Sequence, residues 1–140
     1  MIFNKILIPV DDSKHSESAV SYGASLAEMS GGKLIILHCH RPVPTGLGEP
    51  NFQKAIDDAT RESYAILESK TAMLKDKSVD YEEKIIGGST AKSVKTVAET
   101  EGCDLIIMGS KGKSDLEGLV VGSVTHKVLH IAECPVLVIK

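Results

Sequence analysis

The chain has 140 residues, of which 42% are hydrophobic and 25% charged, a composition that fits one globular domain and leaves no room for a second. Its net charge of −3 and isoelectric point near 5.9 argue against a general binder of nucleic acids or anionic membranes, although a local basic cluster can still hold a small anion. No segment approaches the length of a membrane-spanning helix, and three widely spaced cysteines favour free thiols in a reducing compartment, so we expect a cytoplasmic domain spanning residues 1–140.

The first forty residues predict one β-α-β unit. Residues 5–10 and 33–39 are mainly apolar runs, as expected for strands that are covered on both faces. Between them, apolar residues at helical spacing over 19–27 predict a helix that the glycines at 31 and 32 end. The candidate caps at its start are Asp12, Ser13 and Ser16.

The middle of the chain predicts a second unit of the same kind. Residues 41–50, with three prolines and two glycines, predict a loop that is long enough to cover a site. From Phe52 onwards, helical spacing predicts a second crossover helix of about five turns. Residues 79–86 predict a strand, and its charged residues favour a position at the edge of the sheet.

The last third predicts two more helices and two more strands. The inner face of the third helix is formed by Ala91, Val94, Val97 and Ala98, with Ser89 or Thr90 as its cap. A short strand follows at 105–108, and the final strand lies at 136–139, after the break at Cys134-Pro135. The core face of the fourth helix is formed by Val124, Val128, Ile131 and Ala132.

Five strands alternating with four helices predict a doubly wound parallel sheet. In such sheets, ligands bind beyond the carboxyl ends of the strands where the winding direction reverses. If the chain winds outward through strands two and three and returns on the other side for strand four, the loops at 11–13 and 109–123 border one crevice.

The second of these loops opens with "IIMGSKGKS", which looks like a phosphate-binding loop. The strict Walker pattern fails, because Ile107 stands where its first glycine is required. We expect Gly109 and Gly112 to turn with positive φ and to approach an anion without a Cβ in the way. A tight turn without a ligand is the alternative that a lone GxxG pair leaves open.

The end of the loop adds features that suit a polyphosphate. Gly122 and Ser123 stand at the start of the fourth predicted helix, where backbone amides and the helix dipole attract negative charge. Lys111 and Lys113 would offset the charge of the ligand in an otherwise acidic protein. The spacing of the loop is therefore Gly, two residues, Gly, nine residues, Gly-Ser.

Three stretches, "ILIPVDDS", "GSKGKSDLEGLVVGSVTHKVL" and "CPVLVIK", together resemble the universal stress protein family, in its ATP-binding branch with the G-x2-G-x9-G-S/T loop. The resemblance covers residues 6–140. It implies a single-domain open α/β sandwich, Rossmann-like and similar to the adenine nucleotide hydrolases, with strand order 3-2-1-4-5. It also implies that adenine and ribose lie over the end of the first strand and that the phosphates lie on the glycine loop.

The resemblance implies a set of ligand-binding residues, and the cation Lys111 joins it because of its place in the loop. Cys39 stands where the family has a small apolar residue, usually valine, against the base, and Thr90 stands where proline is usual. The implied ligand is ATP, or ADP or AMP, with Mg²⁺. The complete set is Pro9, Val10, Asp11, Cys39, Met108, Gly109, Lys111, Gly112, Gly122, Ser123, Val124 and Thr125.

The sequence also contains two rival metal motifs. His38 and His40 share one face of a strand while Cys39 takes the other, so three ligands cannot converge there. His126 and His130 share a helix face, but no HExxH glutamate lies between them and they oppose the apolar stripe, which favours a solvated face. We therefore predict no metal centre built from protein ligands alone.

Two classes of function remain, a nucleotide-binding regulatory module and an enzyme that slowly hydrolyses ATP or transfers its phosphoryl group. For catalysis we would expect an arginine finger or a water-positioning residue near the glycine loop. The two arginines, Arg41 and Arg61, lie far from this loop in sequence. The binding module is therefore preferred. A flavodoxin-like electron carrier is a weaker alternative, because a chain with no Trp and three Tyr has few aromatic walls for a flavin.

The last predicted strand indicates a mode of association. With strand order 3-2-1-4-5, residues 136–139 form a sheet edge that is apolar and has no charge or internal proline. The resemblance implies antiparallel pairing of this strand across a two-fold axis. We therefore expect a homodimer, with a monomer whose edge stays solvated as the alternative.

Overall fold

The structure is a computed structural model, and it describes residues 3–112, 118 and 120–140. Strands and helices alternate along the described chain. The strands are β1 (Lys5–Pro9), β2 (Lys33–His40), β3 (Asp80–Gly87), β4 (Leu105–Gly109) and β5 (Val136–Ile139). The helices are α1 (Lys14–Ser30), α2 (Asn51–Thr71), α3 (Thr90–Glu101) and α4 (Ser123–Ile131), with short 3-10 turns at Thr45–Leu47 and Ala72–Leu74.

The five strands form one parallel sheet in the order β3-β2-β1-β4-β5. The predicted doubly wound order is therefore confirmed. β1 lies at the centre, with β2 on one side and β4 on the other, so the winding reverses at β1. The carboxyl ends of β1 and β4 border the crevice that the sequence predicts for a ligand.

Both faces of the sheet carry a hydrophobic core. Ile6 and Ile8 of β1 pack towards α1 and α2, whereas Leu7 packs towards α3 and α4, and all three side chains are fully buried. Burial of each such side chain contributes about 1.5–3 kcal/mol, which explains why β1 is a continuous apolar run. The inner face predicted for α3 is buried throughout, and Val128 lies at the centre of the corresponding face of α4.

The helix ends follow local chemistry. Ser13 is the N-cap of α1, and its hydroxyl accepts a hydrogen bond from the Ser16 amide. Gly31 ends α1 in the left-handed conformation, with φ of 74°, which glycine adopts without steric cost. Ser89 stands at the N-cap of α3 as predicted, but its side chain makes no capping hydrogen bond.

The loop at 41–50 and strand β3 contribute no residue to the lining of the cavity described below. β3 is an edge strand, as predicted, and Lys33 of β2 forms an ion pair with its Glu82 at 3.1 Å. The loop contains one 3-10 turn, and none of its residues lines that cavity. Within the described part of the chain, no helix is both long and apolar enough to cross a membrane.

Candidate functional site

A cavity of about 100 Å³ opens at the carboxyl ends of β1, β2 and β4. Ten of the twelve residues selected from the sequence line it, and Gly122 and Ser123 do not. The ten are Pro9, Val10, Asp11, Cys39, Met108, Gly109, Lys111, Gly112, Val124 and Thr125. The structure adds Ser16, Leu37 and Thr90 to the lining. The first turns of α1, α3 and α4 therefore all meet the cavity.

Asp11 is held in a fixed orientation at the start of α1. One of its carboxylate oxygens accepts hydrogen bonds from the Ser13 amide and the Ser16 hydroxyl, both at 2.9 Å. The Asp11 amide donates in turn to the Ser16 hydroxyl oxygen at 2.8 Å. This reciprocal arrangement fixes the carboxylate at the cavity wall, and it satisfies the buried hydroxyl of Ser16.

Two further contacts hold the segment that follows β1. The ammonium group of Lys70, a buried side chain at the end of α2, donates to the Ser13 carbonyl at 3.0 Å and pairs with Glu17 at 3.3 Å. On the other side, the Nδ1–H of the buried His38 ring donates to the Val10 carbonyl at 2.8 Å. The residues that precede α1 are therefore fixed by β2 and by α2.

Hydrogen bonds join the two ends of the segment between β4 and α4. The Thr125 hydroxyl donates to the Gly109 carbonyl at 2.8 Å, and the Gly122 amide donates to the Ser110 carbonyl. The first turn of α4 is thereby tied to the end of β4. Lys113 and Ser114, which the sequence assigns to the same loop, lie outside the described residues.

The reason predicted for Gly109 is wrong. Its φ is not positive, so no left-handed turn requires glycine there. A Cβ at this position would instead stand 2.4 Å from the Cβ of His15, and 3.0 Å from its carbonyl carbon. Gly109 is glycine because the end of β4 packs directly against the first turn of α1.

Cys39 presents a neutral thiol to the cavity. Burial raises the pKa of this thiol to about 11, an effect that a hydrogen bond with the Ser93 side chain partly offsets. At neutral pH the group is therefore protonated and acts as a small apolar surface. Burial also raises the pKa of Cys103 to about 11 and that of Cys134, so none of the three thiols is an activated nucleophile.

The raised pKa of Cys39 predicts slow alkylation. At pH 8 its thiolate fraction is about a hundredfold lower than for a thiol with the ordinary pKa of 9.0, because only the thiolate reacts. Mass spectrometry of the peptide carrying Cys39 after iodoacetamide treatment should show a rate that rises as the pH approaches 11. A rate that levels off below pH 9 would contradict the assignment.

The histidines of the two rival metal motifs lie on β2 and on α4. His126 and His130 are exposed on α4, as the predicted solvated face requires. Nδ1 of His40 forms a hydrogen bond with the Arg41 carbonyl at 2.7 Å. Over residues 3–112, 118 and 120–140, no group of three or more His, Cys, Asp or Glu side chains is placed to hold a metal ion.

Comparison with known proteins gives a consistent result. The model of the universal stress protein family matches residues 2–140. A universal stress protein of Thermus aquaticus, from the region 3′ of a QAH/OAS sulfhydrylase gene, is 31% identical over 140 residues, covering 99% of this chain and all of the relative. The solved structure of MJ0577, a universal stress protein of Methanocaldococcus jannaschii, is 30% identical with a TM-score of 0.87, covering 100% of this chain and 97% of the other.

A more distant structure carries the same fold. The universal stress protein of Archaeoglobus fulgidus in complex with dAMP is 19% identical with a TM-score of 0.62, and each chain is covered completely. At this identity the likeness concerns the fold alone.

Proposed function

The chain belongs to the universal stress protein family, and on that premise we propose that it binds an adenine nucleotide in the cavity at the ends of β1, β2 and β4. Binding of ATP, ADP or AMP would then act as a regulatory signal in the cytoplasm. The observation that carries the proposal is the convergence of ten residues, selected from the sequence, on one cavity at the reversal point of a doubly wound sheet.

The wall chemistry suits a nucleoside. Val10, Leu37 and the neutral thiol of Cys39 provide apolar surface for a purine, while the fixed carboxylate of Asp11 can accept hydrogen bonds from ribose hydroxyls. No aromatic ring is found among the described lining residues, which argues against a flavin. The Archaeoglobus fulgidus protein of the same fold was solved in complex with dAMP, so the fold can accommodate an adenine nucleotide.

The phosphates would extend out of the enclosed space. A cavity of about 100 Å³ is smaller than the range of roughly 300–1,000 Å³ typical of small-molecule pockets, so it encloses only part of a nucleotide. Lys111 and Gly112 lie at its wall, and the start of α4 at Gly122 and Ser123 lies beyond it. We therefore assign the phosphates to the α4 end, where the helix dipole favours anions. Mg²⁺ would be held mainly by the phosphates, with the Asp11 carboxylate as a nearby oxygen ligand.

Calorimetric titration tests the assignment directly. The purified protein should bind ATP, ADP or AMP with one site per chain, and it should bind GTP at least about tenfold more weakly because the apolar wall is assigned to adenine. Mass spectrometry of nucleotide released from the purified protein identifies which form is retained. Equal affinity for all purine and pyrimidine triphosphates would contradict the proposed base site.

A regulatory role is preferred to catalysis because, among the described residues, the groups for in-line attack are not found at the cavity. Arg61 pairs with Asp58 on α2, and Arg41 lies exposed beyond β2; neither lines the cavity. The second candidate function, a slow ATPase or phosphoryl transferase, would use the same loop.

We predict that ATP turnover stays below about 1 s⁻¹, at the bottom of the typical enzyme range. The measurement is release of inorganic phosphate under saturating ATP and Mg²⁺, with a variant that no longer binds ATP as the control for contaminating enzymes. A rate well above this limit that disappears in the control would move the protein into the enzyme class.

We also propose that the protein is a homodimer joined through β5. The two edges of the sheet differ: β3 carries four charged residues within "DYEEKIIG", whereas β5 carries none within "VLVI". Charged residues protect an edge from pairing with another chain. The unprotected edge at Val136–Ile139 is therefore the one available to a second copy.

A further inference from the structure

A pair of imidazole rings lies on the outer surface of α4. His126 and His130 are one helical turn apart, both are exposed, and their ring centroids are 4.7 Å apart with an angle of 81° between the ring planes. Val128, between them in sequence, is buried on the opposite face of the helix. The two rings therefore approach each other edge to face in solvent, where a dissolved ion has direct access.

We propose that His126 and His130 form a binding site for a divalent transition-metal ion of the Ni²⁺ or Zn²⁺ class. Neutral imidazole is the nitrogen ligand that such ions prefer, and metal–nitrogen distances are about 2.0–2.1 Å. Two histidines at positions i and i+4 of a helix can bind one ion, as the HExxH spacing demonstrates. With ring centroids 4.7 Å apart, the two imidazoles are close enough for rotation of the side chains to direct one nitrogen of each at a shared ion.

The site would hold its ion reversibly. No group of three or more candidate ligands occurs in the described part of the chain, so water or a small exogenous ligand would complete the coordination shell. The other two histidines with described ring contacts are less suited, because Nδ1 of His38 and Nδ1 of His40 are engaged by the carbonyls of Val10 and Arg41.

Binding would stabilise α4. This helix has only nine residues, and its N-cap residue, Gly122, provides no side-chain cap, so its own helical preference is weak. An ion bridging His126 and His130 closes one full turn and binds only when that turn is helical. Metal binding is therefore coupled to folding of this segment, and the folded protein gains stability as the free metal concentration rises.

The test is a calorimetric titration of the tag-free protein with Ni²⁺. We expect one ion per chain in the wild type and an affinity about a hundredfold lower in His126→Gln and in His130→Gln, because loss of either ligand removes the intramolecular second contact. His40→Gln is the matched control and should bind as the wild type does. Both substituted positions on α4 are exposed, and circular dichroism verifies that the variants are folded.

A thermal measurement provides the second readout. Ni²⁺ should raise the Tm of the wild type and of His40→Gln, and it should leave the Tm of the double variant His126→Gln/His130→Gln unchanged. Binding that persists in the double variant would overturn the proposal, as would a wild type without detectable binding. Neither His126 nor His130 lines the cavity, and any Ni²⁺ bound by retained nucleotide would persist in the double variant, so the outcome is independent of the function proposed for the cavity.

Discussion

Gly122→Val should weaken ATP binding by at least about a hundredfold. The backbone at Gly122, with φ of −72° and ψ of 168°, is open to any residue, so valine introduces no backbone strain. Its branched side chain would occupy the space assigned to phosphate at the start of α4. Exclusion of the phosphates from the start of α4 at a cost of about 2.8 kcal/mol corresponds to the expected factor of a hundred.

Two comparisons make this experiment specific. Gly46→Val is the matched control, because Gly46 lies in the loop at 41–50 with no atom within 4 Å of an added Cβ and without a positive φ. Adenosine, which has no phosphate, should bind Gly122→Val nearly as well as the wild type. Unchanged ATP affinity in Gly122→Val would mean that the glycine loop is only a turn, whereas equal loss of adenosine and ATP would indicate a damaged fold.

The fold could be predicted from the sequence because a local sequence pattern indicates each of its helices and strands. Ile6, Leu7 and Ile8 form a run that only a strand buried on both faces accommodates, and charge in β3 marks an edge. The turns at Gly31 and Gly102 end α1 and α3 in the left-handed conformation, which glycine favours. Boundaries moved by one or two residues, because helix and strand ends are set by capping contacts and not by apolar spacing.

The candidate site could be predicted only in part from the sequence, because the other residues that form it are brought there by tertiary contacts. Ser16 was recognised as a possible cap, but its reciprocal hydrogen bonds with Asp11 depend on how α1 enters the crevice. Leu37 gave no signal beyond that of an ordinary core residue. Gly109 was selected for the wrong reason, since the approach of His15 is invisible in a linear sequence. The buried Lys70 followed no local pattern, because its partners lie more than fifty residues earlier in the chain.

The hydrogen bonds between β4 and β5 determine which backbone amides of β5 remain available for pairing with a second copy. The Ile106 amide donates to the Pro135 carbonyl, and the Ser110 amide donates to the Ile139 carbonyl, so the odd-numbered residues of this segment face β4. Backbone groups alternate in direction along a strand, which leaves those of Val136 and Val138 directed at the open edge. In an antiparallel pair centred on Leu137, each Val136 would exchange two hydrogen bonds with Val138 of the second copy.

Val138→Pro should therefore convert a dimer into a monomer without unfolding the sheet. Proline removes an N–H that faces outward, so the hydrogen bonds between β4 and β5 remain, while two intermolecular hydrogen bonds are lost per dimer. At about 0.5–1.5 kcal/mol for each bond, the dissociation constant should rise by at least about fivefold, and further through the steric effect of the ring. Val138→Ala retains the amide and is the control that should remain dimeric.

Leu137→Lys supplies an independent route to the same outcome. The Leu137 side chain is 38% exposed in the single chain, and in the expected register it would face Leu137 of the second copy across the two-fold axis. Two like charges placed there would repel each other and dissociate the dimer. Sedimentation equilibrium of the wild type and the three variants decides the matter: a monomeric wild type, or a dimer that survives both Val138→Pro and Leu137→Lys, would show that copies of the chain do not pair through β5.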